Sequence, residues 1–227
     1  GRNRTRVDAN APRGSGGIGI LLRDATFKGA GVKVTMKTYG GCEGYLKVSV
    51  RKNRGKITIF VVYSEFSRPG FDVDSEKFLD GLFSDVSSSF ADDGDDPDKI
   101  TVVCGDFNCR LGMKQDRPDL PENPRGGERT TSGRSADKMI SLIQRSEAII
   151  VHGRKCEWDW TFDPEKKKKK GACKKDRSVV DYMMVHDSRL DKILDAGIAR
   201  RDLIGVDSDH LCLWAVLDSQ IVRECQQ

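Results

Sequence analysis

Histidine and cysteine are sparse in this chain, three and seven among 227 residues, and no two cysteines form a C-x-x-C pair. The absence of paired ligands at short spacing argues against a structural zinc site. An odd number of cysteines without a regular framework reads as reduced thiols in an intracellular compartment. Cys104 and Cys212 sit in apolar stretches and read as small core residues. No apolar run approaches the roughly 18–20 residues of a membrane helix, so nothing here is expected to span a bilayer. The opening GRNRTRVDANAPRG is basic and lacks the apolar stretch of a secretory signal. Neither sign of charge dominates: 39 basic residues stand against 35 acidic ones, a net charge of +4. Overall charge therefore selects no partner, and only clusters of charge are informative. What remains is a chain with 37% hydrophobic and 33% charged residues, with room for one large domain.

The domain is expected over residues 16–218, between a basic segment at 1–15 and a tail at 219–227. Gly16–Leu22 reads as its first strand. Val32, Val34 and Met36 alternate with Lys33, Thr35 and Lys37, and Leu46, Val48 and Val50 with Lys47, Ser49 and Arg51. A period of two with one polar face predicts half-buried antiparallel strands. The run 52–56, KNRGK, supplies hairpin turn chemistry before a more buried strand at Ile57–Tyr63. Asp74 or Ser75 caps a helix whose stripe is Phe78, Leu79, Leu82, Phe83 and Val86. Asp92–Asp98 reads as a solvated loop and Ile100–Cys104 as a central strand. Ala136, Met139, Ile140 and Ile143 form a second helical stripe. Further strands are predicted at Ala148–Val151, Trp158–Phe162, Val179–Val185 and Leu211–Leu217. Strands in hairpins with helices between them give an α+β fold in which helices cover sheet faces.

Three short polar groups interrupt these elements. Asp106 and Asn108, in Gly105-Asp106-Phe107-Asn108, follow the central strand; if strand geometry persists, residues two apart face one site. Alone, this sequence is more often a turn. Asp209 and His210 precede the last strand, where an acid beside an imidazole offers a metal ligand and a general base; alone, they read as a surface loop. Asp181 breaks an apolar run, so it is buried and needs a partner, for which a histidine nitrogen is suited. Tyr63, ending its strand, is either a core residue or a phenol that donates to an anion.

Taken in order, Gly16–Ile20, Val62-Tyr63, Gly105–Asn108, Trp160–Phe162, Ser178–Tyr182 and Ser208–His210 resemble the endonuclease/exonuclease/phosphatase superfamily. The likeness is closest to the apurinic-type endonuclease domain of non-LTR retrotransposons and to domesticated relatives of the craniofacial development protein 2 type. GDFNCRLG at 105–112, Gly127-Glu128-Arg129 and Arg200-Arg201-Asp202 extend it, and it runs from about Gly14 to Leu217. The resemblance implies a four-layer α/β sandwich with two mostly antiparallel sheets, cleaving phosphodiesters with Mg²⁺ or Mn²⁺. His210 would contact the scissile phosphate and assist proton transfer, with Asp181 orienting it. Asp106 and Asn108 would position the attacking water and a phosphate oxygen, Tyr63 would bond the phosphate, and Asp209 would lie on the metal side.

The chain also departs from the pattern. The family's first strand, with its Asn, and its metal-binding Glu precede the Gly16–Ile20 element, where only about fifteen irregular residues stand here. The first strand is therefore expected to be missing, leaving an exposed sheet edge for a partner chain to cover. Where relatives have Tyr-x-Pro-Asn, this chain has Tyr63-Ser64-Glu65-Phe66. Lys166, Lys167, Lys168, Lys169 and Lys170, with Lys174, Lys175 and Arg177, fill the loop before Asp181. Such a run binds nucleic-acid backbone through counterion release, or serves as a solvated loop or nuclear-localisation patch. Its compartment, nucleus or organelle, is left open. Two functions follow. The first is a metal-dependent endonuclease of retroelement origin, acting on DNA rather than RNA. The second is a catalytically degenerate relative that serves as a nucleic-acid-binding or structural component of an RNA–protein or DNA–protein assembly, and the absent Asn and Glu favour it.

Overall fold

The computed structural model describes residues 20, 28–39, 43–64, 73–112, 114–119, 134–156, 160–162, 177–199 and 210–218. The expected strand at Gly16–Leu22 apart from Ile20, the segments 1–15 and 219–227, Asp209 and the lysines of 166–175 lie outside the described residues, as does the question of a missing first strand.

The elements run β1 (Gly31–Tyr39), β2 (Glu43–Lys52), β3 (Gly55–Tyr63), α1 (Val73–Asp93), β4 (Lys99–Asp106), α2 (Arg134–Arg145), β5 (Ala148–Ile150), β6 (Asp181–His186), a 3-10 turn (Asp187–Lys192), β7 (Ile193–Ala199) and β8 (Cys212–Leu217). Six strands form one sheet in the order β1-β2-β3-β4-β6-β5, and β7 with β8 forms a second. Only β3 and β4 pair in parallel, joined through α1; the other pairs are antiparallel. The β2–β3 hairpin closes on Asn53, whose φ of 53° is the left-handed conformation that asparagine tolerates. No described helix is long and apolar enough to cross a membrane.

Alternation along the strands sorts the side chains into two cores. On one face of the large sheet, Tyr45, Phe60, Val62, Val103, Tyr182 and Met184 pack under α1 and α2. These helices bury Phe78, Leu79, Leu82, Phe83 and Val86, and Ala136, Met139, Ile140 and Ile143, the residues of the two stripes. On the other face, Ile57, Ile100, Val102, Met183 and Val185 meet Ile193 and Ala196 of β7 and the inward residues Leu213, Ala215 and Leu217 of β8. Helices, large sheet and small sheet form three stacked layers of the expected α+β sandwich among the described residues.

The structure corrects several local expectations. Asp74 and Ser75 lie inside α1, which begins at Val73, so the helix starts before the residues expected to cap it. Val32, Val34 and Met36 are 47%, 58% and 68% exposed, because β1 is the edge of the large sheet and the described part of the small sheet covers the opposite half. Cys212 is exposed on the outward face of β8, whereas Cys104 packs against the inner core. β7 was not foreseen. Its sequence ILDAGIA carries an irregularity between Ile193 and Asp195 that breaks the alternation.

Candidate active site

Register builds the site. Tyr63 at the end of β3 stands beside Asp106 at the end of β4, and Asp106 stands opposite Asp181 at the start of β6. Because alternate residues share a face, these three side chains form a row across the sheet end, on the face turned to the small sheet. His210, just before β8, enters from that second sheet. Its Nδ1 lies 2.9 and 3.1 Å from the two carboxylate oxygens of Asp181, and its Nε2 lies 3.8 Å from Asp106 Oδ2. Residues far apart in sequence thus meet in one cluster.

A three-residue clasp holds the two sheets in this relation. The Thr161 hydroxyl, fully buried, accepts the backbone N–H groups of both Val180 and Asp181 at 3.0 Å. The Thr161 carbonyl accepts the Leu211 N–H at 2.7 Å. Phe162 bridges Ser178 on one side and His210 on the other, and its ring stands edge-on to the imidazole with centroids 5.1 Å apart. Of the strand expected at Trp158–Phe162, the described residues 160–162 carry two isolated bridges, both at Phe162. Sequence reasoning placed these residues in a motif but gave none of them a role. The available signal was a single hydroxyl residue between aromatics, beside the element carrying Asp181.

Asp106 and Asn108 do come together, though not by strand alternation. β4 ends at Asp106, and Asn108 turns back with φ of 47°. The Asp106 carboxylate accepts the Asn108 backbone N–H at 2.8 Å, closing an Asx turn. Asn108 Nδ2 donates to the Ser64 carbonyl at 2.7 Å and to Asp106 Oδ2 at 3.1 Å. Both amide hydrogens are engaged, so Asn108 fixes the carboxylate and ties β3 to β4. Behind this turn the buried Tyr182 hydroxyl accepts the Leu111 N–H at 3.2 Å and lies within 2.9 Å of the Cys109 and Val179 carbonyls. The loop of GDFNCRLG is thereby pinned to β6. Gly105 has φ of 144°, and a Cβ there would stand 2.0 Å from the Val62 carbonyl oxygen; only glycine fits beside β3.

Burial, followed by the neighbouring Asp181 charge, pushes the Asp106 carboxyl up to about 6, against the lowering effect of its bonds from Asn108. The ligand atoms of Asp106, Asp181 and His210 all lie within 4.8 Å of one another. Two carboxylates crowded in one hollow beside an imidazole form a donor set suited to a divalent cation. Arg177 lies just before Ser178, next to the clasp.

No protein-family model matches the chain, and no curated protein matches it in sequence. Solved structures do match in fold. The 3′ phosphatase NExo from Neisseria, solved with a product DNA hairpin, aligns with a TM-score of 0.54 at 11% identity, over 82% of this chain and 70% of that one. An AP endonuclease from Archaeoglobus fulgidus aligns at 0.51 and 16% identity, over 86% and 82% of the two chains. The AP endonuclease LMAP from Leishmania major aligns at 0.52 and 12% identity over 75% of this chain, which spans 53% of that protein. The chain has the endonuclease/exonuclease/phosphatase fold.

Proposed function

We propose that this chain is a phosphodiesterase of the endonuclease type, acting on nucleic acid and assisted by Mg²⁺ or Mn²⁺. The observation that carries the reading is the cluster of Asp106, Asp181 and His210 at the joint of the two sheets. With Nδ1 held by Asp181, the imidazole carries its proton toward that carboxylate and turns Nε2 to the hollow. There the unprotonated Nε2 is placed to accept the proton of a water attacking the scissile phosphate, while Asp181 sets the tautomer and orientation of the imidazole. Asp106, 3.8 Å from Nε2, is placed to orient that water. Asn108 holds that carboxylate in place, and Tyr63 stands in the same row to donate to phosphate. Asp106 and Asp181, with Asp209 beside His210, would hold the cation, which neutralises charge on the phosphoryl oxygens. Lys166–Lys170, Lys174, Lys175 and Arg177 supply backbone contacts of the salt-dependent kind. DNA is the proposed substrate. GDFNCRLG is the feature in favour of a retroelement origin.

Nicking of supercoiled plasmid with Mg²⁺ or Mn²⁺, alongside His210→Ala, tests the reading. Cleavage by the wild type and its loss in the variant are expected. Equal background cleavage by both, with salt-sensitive DNA or RNA binding retained, would instead make the chain a catalytically degenerate binding component.

A further inference from the structure

β1 closes one side of the large sheet, pairing with β2 alone among the described residues. Its nine residues present about 30 Å of strand edge. Such an edge is a template for another strand unless charge, proline or a covering element blocks it. β1 has no proline. Its two faces, moreover, have opposite character.

On the face turned away from α1, Val32, Val34 and Met36 form an exposed apolar row. On the other face, Lys33, Thr35 and Lys37 alternate with them. Beside that polar row runs a cleft of about 630 Å³ lined by Lys33, Lys47, Arg51 and Lys56 together with Asp85 and Asp92. Within it, Lys56 is paired with Asp92 and Asp93, Lys37 at its edge is paired with Asp85 at 2.6 Å, and Lys47 donates to Ser89 Oγ at 2.8 Å, which leaves Lys33 and Arg51 to carry the excess. Lys33 and Arg51 are exposed at its mouth. The cleft therefore carries an excess of positive charge on one side of the strand edge, with apolar surface on the other.

We propose that β1 is a docking edge for an extended peptide segment in which acidic and apolar residues alternate. An added strand lies about 4.8 Å from β1 and keeps its own alternation, so its acidic side chains fall on the Lys33–Lys37 side and its apolar ones extend the Val32–Met36 row. Opposite charges facing each other across a strand pair stabilise it, and like charges destabilise it. This selects against a second copy of the chain. Antiparallel self-pairing centred on Thr35 sets Lys33 directly against Lys37 at both ends, and centring on Val34 leaves them diagonal neighbours. The inference does not depend on the proposed catalysis, since β1 lies at the opposite side of the β2–β3 pair from Asp106.

The test uses the full chain and a capped, labelled nine-residue peptide alternating glutamate and valine. Its comparators have the same composition in two blocks, or alternate lysine and valine. Anisotropy is expected to show the alternating acidic peptide binding about tenfold tighter than the block peptide, with hydrogen exchange slowed over residues 31–39. Lys33→Glu should weaken that binding about tenfold and favour the lysine–valine peptide. Should that variant fail to fold, the wild-type comparison decides alone. Equal binding of alternating and block peptides overturns the proposal, as does binding without protection of β1. So does protection of residues 31–39 by a single-stranded oligonucleotide in place of the peptide, or by concentration-dependent dimerisation.

Discussion

Asp106 and Asp181 stand directly opposite each other across the β4–β6 pair, yet only Asp181 holds the Nδ1 of His210, at 2.9 Å. The pair is therefore divided in its chemistry. Asp181 is committed to the imidazole, whereas Asp106 is buried against a like charge and has its proton affinity raised. In this separation one acid orients the imidazole, while the other, in the absence of a cation, takes up its proton near pH 6.

Asp106 should leave a mark on stability as a function of pH. Its carboxyl titrates at about 6 when folded and near 3.9 when unfolded. Between these values the folded state holds the extra proton, so this group's contribution to stability falls as pH rises from about 4 to 6 and stays low above. Two units correspond to about 2–3 kcal/mol. Asp106→Asn removes the titration but turns an amide nitrogen toward Asn108 Nδ2 and recovers only part of that. Urea unfolding in chelator at pH 4.5 and 7.5 should show a smaller difference between the two pH values for the variant; equal differences would refute the assignment.

Asp181→Asn should separate orientation from binding. The amide can turn its NH2 to His210 Nδ1, which then accepts instead of donating and leaves the imidazole in the wrong tautomer. Cleavage should fall by about a hundredfold to ten-thousandfold, while affinity for an uncleaved DNA duplex changes little. A loss confined to KM would place Asp181 in binding instead.

Much of this site was legible because burial leaves a signature in sequence. Asp181 interrupts an apolar strand, and a buried acid requires a partner, which His210 supplies. The stripes of α1 and α2 were legible for the same reason, since their period of 3.6 reports a single covered face. β1 shows where such reasoning stops. Val32, Val34 and Met36 have the same alternation as β2, but periodicity does not reveal which layer lies above a strand. Asp106 and Asn108 were joined correctly by the wrong geometry, because the positive φ values of Gly105 and Asn108 that end the strand are set by contact with β3. The clasp at Thr161 left only a faint signal, for another reason. Its partners, Val180, Asp181 and Leu211, are backbone groups that any residue could supply.

Gly105→Ala should be among the most damaging single methyl additions to the chain. A Cβ would stand 2.0 Å from Val62 O and 2.7 Å from Val62 N, both backbone atoms, at a φ of 144°. Relief requires β3 and β4 to separate beside Tyr63 and Asp106. The expected cost is about 3 kcal/mol or more, read as insoluble expression or a marked fall in Tm. A variant with wild-type Tm would mean that the two strands are not held at this spacing.

Thr161 offers the sharpest separation of hydroxyl from shape. Valine keeps the branching and volume of threonine but removes the acceptor for two buried N–H groups, those of Val180 and Asp181. Leaving buried donors unpaired costs about 1–3 kcal/mol each, partly relieved by relaxation, so Thr161→Val should destabilise the fold by about 2–4 kcal/mol. Thr161→Ser restores the acceptor and loses one methyl, and should cost about 1 kcal/mol. Activity should follow the hydroxyl as well, because the start of β6 carries Asp181 and the carbonyl of residue 161 anchors the strand after His210. The decisive readout is the imidazole NMR signal of His210 at constant folded fraction. It should shift in the valine variant and return to its wild-type position in the serine variant. If both variants leave it unmoved, the clasp supports the fold without aligning the His210–Asp181 pair.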